Sequence, residues 1–285
     1  MTMDESVLNN ELAIRLVFFL GIFAIVALGE QASPRRRLTA SKAVRWFSNI
    51  SVVVINSGLV RVLFPVAAVG MAALASQKGW GLWNNVEIPY WIAVVLSVVF
   101  LDMVIYLQHV IFHAVPALWR LHMMHHADLD FDLTTGSRFH PIEILLSMLL
   151  KISAVIVIGA PALAVVIFEI ILNGVAMFNH GNLFIPIGVD RVLRLFVVTP
   201  DMHRVHHSVF PTEANSNFGF NLPWWDRLFG TYRSQPRLGH EGMSIGLVQF
   251  RDPALLKLTR MLALPFVGST GNYPINRRGA SSADG

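Results

Sequence analysis

Long apolar stretches alternate with short polar ones along most of the chain. Residues 12–28, 50–75 and 91–115 are nearly continuous apolar runs, with Arg15 near the start of the first and Pro65 inside the second. A helix of about 20 apolar residues crosses the roughly 30 Å hydrocarbon core of a bilayer. The three runs therefore predict three membrane-spanning helices.

A fourth apolar run, residues 142–178, is too long for one crossing. As a single helix it would extend about 55 Å at 1.5 Å per residue. Its middle holds Gly-Ala-Pro, ending at Pro161, and proline removes a helix hydrogen-bond donor. The run therefore predicts a hairpin of two helices, 142–158 and 161–178.

Composition agrees with a membrane protein. The 285 residues are 54% hydrophobic and 14% charged, whereas soluble domains carry about 25% charge. The absence of cysteine excludes disulfides, iron–sulfur clusters and thiolate nucleophiles, so any metal is held by nitrogen or oxygen. The net charge of +4 fits cytoplasmic flanks of the spans. Nucleic-acid binding is not expected, because a basic recognition stripe is missing.

The polar segments predict an orientation. Residues 1–11 are acidic and lack the features of a signal peptide, so we expect the first span to be retained. The loop 33–47 is basic, and short basic loops stay in the cytoplasm. Its cations are Arg35, Arg36, Arg37, Lys42 and Arg45. Counting the spans onward places the segments after the third span and after the hairpin on this same side.

The C-terminal part becomes more polar. Residues 255–262 form an amphipathic stretch that lies either on the membrane surface or against the cytoplasmic body of the protein. The final residues, 276–285, have the composition of a disordered tail.

The candidate chemistry lies in the histidines, because eight of the eleven fall in three compact motifs. These are His109 and His113; His122, His125 and His126; and His203, His206 and His207. On a helix, residues three or four apart share one face. Adjacent histidines point about 100° apart, so the doubled His-x-x-His-His pattern suits a site with two metals.

Three further histidines are less clustered. His180 can share a helix face with Asn173 and Glu169. Alone it would suit a plain helix cap, but beside eight clustered histidines we expect a metal ligand with polar support. His140 lies near the start of the hairpin, where it either coordinates, orients a ligand or does neither. His240 lies in a polar loop and is expected to be exposed.

Asp102 and Tyr106 continue the face of His109 and His113 into the third span. A carboxylate inside a membrane normally has a partner. Two interpretations stay open at this point: Asp102 supports a ligating imidazole, or Asp102 and Tyr106 are a plain buried polar pair.

So many neutral imidazoles suit zinc, copper, iron or nickel better than magnesium or calcium, and their number predicts two metal ions. Two metals beside membrane helices favour oxygen activation and attack on lipid C–H bonds. A hydrolytic zinc site would normally include carboxylates.

The chain resembles the fatty acid hydroxylase and sterol desaturase superfamily of membrane-bound non-haem di-iron enzymes. The motifs that carry the resemblance are HVIFH (109–113), HMMHH (122–126), NHGN (179–182) and HRVHH (203–207), with flanking matches at 134–143 and 217–232. The resemblance covers roughly residues 90–235 and implies an all-α polytopic fold of four to five transmembrane or hairpin helices under a cytosolic histidine-rich cap. It divides the chain into N-terminal transmembrane helices with a basic loop (1–90), a catalytic domain (91–235) and a C-terminal segment with a tail (236–285).

The resemblance implies which residues hold the metals. Carried over by position, nine histidines look like metal ligands: His109, His113, His122, His125, His126, His180, His203, His206 and His207. One departure is Ala176, where some relatives have a further histidine. Water near Asn173, or His140, would then complete one metal's ligands. Some relatives hold zinc in place of iron, so the ligands are better defined than the metal.

The family's activity implies O₂ as co-substrate, a lipid substrate that is hydroxylated or desaturated, and an external electron donor such as a ferredoxin, cytochrome or reductase. Trp224, Trp225 and Phe229 either shape a lipid passage or anchor the protein at the interface. Arg138 and Asp226 either contact the ligating residues or form a surface ion pair.

Two other functions are compatible with histidines in a membrane protein. A haem-binding electron carrier needs isolated histidines on facing spans at matched depth. A divalent-metal transporter needs ionisable ligands in the middle of the membrane. The clustering of histidines at one predicted membrane face argues against both.

Overall fold

The computed structural model describes residues 10–276, and in this part of the chain every regular element is a helix. The all-α expectation is confirmed. The acidic residues 1–9 and the tail from residue 277 lie outside the described part, so the expectations for them stay predictions. Five helical stretches of the described residues are long and apolar enough to cross a membrane: Glu11–Ala32, Lys42–Lys78, Tyr90–Ala114, Pro141–Ile158 and Ala162–Asn179.

The second of these stretches consists of two helices, so the expectation of one span over 50–75 is corrected. Helix α1 is Glu11–Ala32; α2 (Lys42–Leu63) and α3 (Ala67–Lys78) follow. The chain leaves the helical conformation at Phe64, just before Pro65. A residue preceding proline is disfavoured in the α region, which places the break here.

The predicted hairpin is present, with α4 (Tyr90–Ala114) preceding it. Helices α6 (Pro141–Ile158) and α7 (Ala162–Asn179) meet at Gly159, whose φ of +68° closes α6 in the left-handed conformation. Gly81 packs against this turn so closely that a Cβ on it would lie 2.2 Å from the Gly159 nitrogen. Glycine is therefore required where the loop after α3 covers the hairpin turn.

The opposite end of the bundle carries a cap of short helices. Helix α5 (Pro116–His126) turns back directly after α4, and the chain after α7 adds further short helices. These are α8 (Ile187–Leu193), α9 (Pro200–His206), α10 (Pro211–Ala214), α11 (Trp224–Leu228), α12 (Gly239–Gly242) and α13 (Leu258–Ala263). The carboxyl ends of α4 and α7 and the amino end of α6 all meet this cap.

The basic loop lies at the cap end. Arg35 Nε donates to Asp201 at 3.2 Å, and Arg36 Nη1 donates to the Met243 carbonyl at 2.9 Å. The loop and the histidine motifs are therefore on one side of the spans, as the topology predicted. Which side of the membrane this is stays a prediction.

The amphipathic stretch near the C-terminus packs on the cap. Met261 and Leu264 are fully buried in a cluster with Trp119, Met123 and Val52. Of the two alternatives for residues 255–262, packing against the body of the protein is the one the structure shows.

Candidate metal centre

Four helices deliver the histidines to one place. The last turns of α4 supply His109 and His113, and α5 supplies three more histidines because it reverses the chain at once. Val115 is extended and Pro116 begins α5, a position where the missing N–H is not needed. Helix α9 begins in the same way, with Pro200 at its first turn and the Thr199 hydroxyl accepting from the Met202 amide.

The nine histidines form two buried groups. In each group, one ring nitrogen from every residue lies within 4.8 Å of the others. The five-histidine group contains His109, His113, His122, His126 and His206, and the four-histidine group contains His125, His180, His203 and His207.

Neighbours in sequence divide between the groups. His125 and His126 belong to different groups, and so do His206 and His207. This is the separation that a 100° offset on a helix produces. Each His-x-x-His-His motif therefore contributes to both groups.

Backbone carbonyls orient several rings. The Nδ1 atoms of His109, His206 and His180 lie 2.8 Å from the carbonyl oxygens of Phe218, Ser216 and Ala176 respectively. A carbonyl only accepts, so each Nδ1 carries the proton and each Nε2 keeps its lone pair. These tautomers aim the lone pairs inward.

Two side chains do the same for other members of the five-histidine group. Glu143 Oε1 lies 2.7 Å from His122 Nδ1, and Asn215 Oδ1 lies 3.0 Å from His113 Nδ1. Such outer bonds are the usual companions of metal-bound imidazole.

The inward nitrogens fit a cation. His109 Nε2 and His122 Nε2 are 3.1 Å apart although both Nδ1 atoms donate outward. Two bare lone pairs facing each other repel unless a cation lies between the rings. His206 Nε2 is buried without a hydrogen-bond partner. The residues present therefore fit metal ions.

Burial also favours the neutral form that a metal requires. It lowers the pKa of His122 and of His180 to about 3. Burial, followed by repulsion between the rings, lowers the pKa of His125, His126 and His207 well below the ordinary value. Neutral imidazole is the form that ligates.

Neither group contains a carboxylate among the described residues. The aspartates directly after the second histidine motif are used elsewhere: Asp128 forms two bonds with the buried Arg45 guanidinium, and Asp130 accepts from the Thr39 and Ala40 amides. Although burial alone raises it, the Arg45 charge brings the pKa of Asp128 down to about 2. These aspartates hold the loop after α5 to α2.

Asp102 acts through a loop. Its carboxylate accepts from Asn221 Nδ2 and Trp225 Nε1, both at 2.8 Å, and contacts no histidine. These bonds fix the loop whose Phe218 carbonyl orients His109. Tyr106 bonds to Thr231. The expectation that Asp102 directly supports an imidazole is therefore wrong. Asp102 and Tyr106 do not form an isolated polar pair either, because each bonds to the loop that follows residue 216.

Other candidates lie outside both groups. His140 caps α6, its Nδ1 accepting from the Ile142 amide at 3.2 Å. Asn173 donates to the Glu169 carbonyl, and Glu169 pairs with Arg15 and Lys151. The expected polar support of His180 by Asn173 and Glu169 is therefore not present, since neither contacts that ring.

In the cap, the expectation that His240 is exposed is wrong, and the surface ion pair considered for Arg138 and Asp226 is not formed. His240 is buried, with Nε2 3.6 Å from Asp201 Oδ2, because the basic loop folds over it. Arg138 and Asp226 are buried and do not pair with each other. Arg138 donates to the Met124 carbonyl, and Asp226 accepts from the Phe218 amide. Both thus hold segments that carry or orient histidines.

The aromatic candidates line neither of the two cavities described below. Trp224 is 45% exposed and donates to the Leu195 carbonyl. Phe229 is also exposed and stacks on Tyr106. Of the two alternatives, an interfacial position fits these side chains better than a lipid passage.

Sequence reasoning missed Glu143 and Asn215. A signal existed for Glu143, which is an acidic residue one position into an apolar run, where ionisable groups are costly and commonly functional. No local signal marks Asn215, because its contact with His113 joins residues far apart in the chain.

A cavity of about 300 Å³ begins at His109 and His122 and runs between the membrane helices to Lys151 and Asn173. A second cavity of about 330 Å³ shares Asn173 and Phe19 with it and continues towards Arg15. Cavities of this size accommodate small ligands or part of a lipid. The five-histidine group therefore lies at one end of a cavity between the candidate spans.

Comparison with known proteins finds relatives for the central part of the chain. Residues 94–231 match the model of the fatty acid hydroxylase family. An ornithine lipid hydroxylase from Rhizobium tropici is 29% identical over 227 residues, which cover 78% of this chain and 67% of that protein. No solved structure matches the chain.

Two other relatives match over a shorter part. An alkylglycerol monooxygenase from Xenopus tropicalis is 31% identical over 160 residues, covering 53% of this chain and 34% of that protein. A fatty acid hydroxylase from a Lecanicillium species is 30% identical over 173 residues, covering 55% of this chain and 44% of that protein. The chain thus spans less than half the length of these two relatives. With five candidate spans and two buried histidine groups that fit a di-iron site, the chain carries a match to the fatty acid hydroxylase domain over residues 94–231 and is similar to lipid hydroxylases and monooxygenases.

Proposed function

We propose that this protein is a membrane-bound non-haem di-iron oxygenase that hydroxylates a lipid, using O₂ and electrons from an external donor. The observation that carries the proposal is the pair of buried, carboxylate-free histidine groups, of which the five-histidine group lies at one end of a cavity between the candidate spans. The lipid-acting relatives support it.

The nine histidines would hold two iron ions, which supply the O₂ activation needed to oxidise an unactivated C–H bond. In the balanced reaction one oxygen atom enters the C–H bond and the other leaves as water, consuming two electrons and two protons. The protein's own part is to keep the rings neutral and oriented, to exclude water, and to place one lipid carbon beside His109 and His122.

Metal content per chain is the first test. We expect about two irons in protein purified in mild detergent after expression with iron. His125→Ala removes a ring from the four-histidine group and His206→Ala one from the five-histidine group, and each variant should lose metal. His140→Ala is the matched control, because this buried histidine lies outside both groups.

The outcomes separate the alternatives. Folded protein without bound metal would overturn the di-iron proposal, and zinc as the only bound metal, with no O₂ consumption when a reductant is supplied, would overturn the oxygenase. Mass spectrometry of the lipid product then distinguishes hydroxylation, which adds one oxygen atom, from desaturation, which removes two hydrogen atoms. The names of the relatives favour hydroxylation over desaturation.

The cap is proposed to face the cytoplasm, where a ferredoxin, cytochrome or reductase would dock. Because the chain has no cysteine, a single introduced cysteine can mark one end of the bundle. Arg37→Cys marks the cap end, and Asn85→Cys marks the opposite end. A membrane-impermeant maleimide applied to intact cells should label Asn85→Cys and not Arg37→Cys. The reverse pattern would overturn the orientation.

A further inference from the structure

The wall of the first cavity beside the histidines is polar. Asn56, Gln108 and Glu143 line it, together with His109 and His122. Asn56 and Glu143 are buried, and all three lie in helices that span the membrane. A cavity that received only the middle of a hydrocarbon chain would have no use for these groups.

Each of the three residues has one buried oxygen without a partner. These atoms are Asn56 Oδ1, Gln108 Oε1 and Glu143 Oε2. For Asn56 the assignment follows from its other atom, because Nδ2 donates to the Phe139 carbonyl at 2.9 Å. Gln108 Nε2 is likewise bonded to the Ser147 hydroxyl. The two amides therefore each present an unpaired acceptor oxygen, and buried acceptors are normally satisfied.

We propose that the Asn56 and Gln108 amides, beside Glu143 in the cavity wall, form a subsite for an N–H or O–H donor on the substrate. The lipid would thus be hydroxylated at a carbon close to a polar function such as an amide, hydroxyl or ammonium group, rather than in the middle of an acyl chain. The inference rests on the proposed function and adds the substrate class to it.

The test measures lipid binding, so it does not depend on turnover. Protein in nanodiscs is offered an alkylglycerol and its fully O-methylated analogue in equal amounts, and native mass spectrometry counts each bound lipid. A second pair, an N-acyl lipid and its N-methylated analogue, distinguishes an amide donor from a hydroxyl donor. We expect the wild type to prefer the donor-bearing member of at least one pair.

Asn56→Leu and Gln108→Met each remove an acceptor and should reduce that preference about five- to tenfold, the effect of about one hydrogen bond. Matched controls replace lipid-facing neighbours on the same helices, Val54→Leu and Leu107→Met, and should keep it. Glu143 is left unchanged because it also bonds His122.

Equal binding of both members of each pair by the wild type would overturn the subsite, as would an unchanged preference in both variants. Iron content is measured on the same samples. If the protein holds no iron but keeps its lipid preference, only the proposed function is contradicted. If it holds the expected iron but shows no lipid preference, only the subsite is contradicted.

Discussion

At the scale of single residues, the metal centre depends on hydrogen bonds directed away from it. Asn215 illustrates this. Its Nδ2 donates to the Tyr273 carbonyl at 2.8 Å, which leaves Oδ1 as the atom that faces His113 Nδ1. One amide therefore couples the C-terminal segment to a ring of the five-histidine group.

Asn215→Leu keeps the volume and removes this acceptor. We expect metal affinity of the five-histidine group to fall about 10- to 100-fold, the usual effect of losing an outer partner of a ligating histidine. Competition with a chelator measures the affinity, and the four-histidine group in the same sample is the internal control. Equal weakening of both groups would indicate a general loss of structure and contradict this role.

At the scale of helices, a buried ion network joins α2 to the loop that follows α5. Arg45 has no exposed surface and bonds Asp128 at 2.6 and 2.9 Å, with Asp132 and Thr135 completing its donors. The loop carries Gly136, where a Cβ would lie 3.0 Å from His180 Nδ1. The network therefore holds a segment that packs directly on the four-histidine group.

Arg45→Met should reduce the free energy of unfolding by about 3–5 kcal/mol, because removing one partner leaves buried carboxylates uncompensated. Arg61→Met is the control, since Arg61 lies on the same helix and is exposed; it should change stability by less than about 0.5 kcal/mol. Thermal unfolding in detergent compares the two variants. Similar stability for both would show that the network contributes little.

Helix α8 of the cap carries an exposed apolar face. Ile187, Val189 and Val192 are all more than half exposed, and Phe184 and Phe196 flank them. We expect α8 to lie in the membrane interface. A spin label at Val192→Cys should be more accessible to O₂ than to a water-soluble nickel chelate, and a label at Glu241→Cys on the polar side of the cap should show the opposite. Equal aqueous exposure of both labels would contradict the placement.

The sequence predicted the elements better than their contacts. The hairpin follows from length and from Pro161, and the separation of His125 from His126 follows from helical geometry. The break between α2 and α3 was missed because the apolar pattern continues through Pro65. The outer partners of the histidines are mostly backbone carbonyls, such as that of Ser216, which leave no mark in residue type.

At the scale of the whole molecule, the site is assembled from distant parts of the chain. Helix α1 closes the cap from the N-terminal side, since Glu30 accepts from the Leu133 and Asn182 amides at 2.8 Å. The C-terminal segment closes it from the other side through Asn215 and Tyr273. Folding of the spans and formation of the metal centre are therefore coupled.

This coupling predicts a steep pH dependence of stability. In the folded protein, burial lowers the pKa of His122 and His180 to about 3, whereas an unfolded histidine titrates near 6.5. Between these values the unfolded chain binds more protons than the folded chain, so the free energy of unfolding rises with pH. The stabilisation is present above about pH 6.5 and is lost as the pH falls towards 3.

Thermal unfolding of metal-free protein in mild detergent between about pH 8 and pH 5 measures this dependence. One such group contributes at most about 1.4 kcal/mol per pH unit, and the two histidine groups place seven buried histidines with lowered pKa outside the spans. We therefore expect the slope near pH 5.5 to exceed the single-group value severalfold. Metal-loaded protein should be more stable at pH 8 and should converge on the metal-free curve in acid, because protonation competes with ligation. A slope no larger than that of one group would mean that the rings are open to water in the folded state, which is incompatible with two buried metal sites.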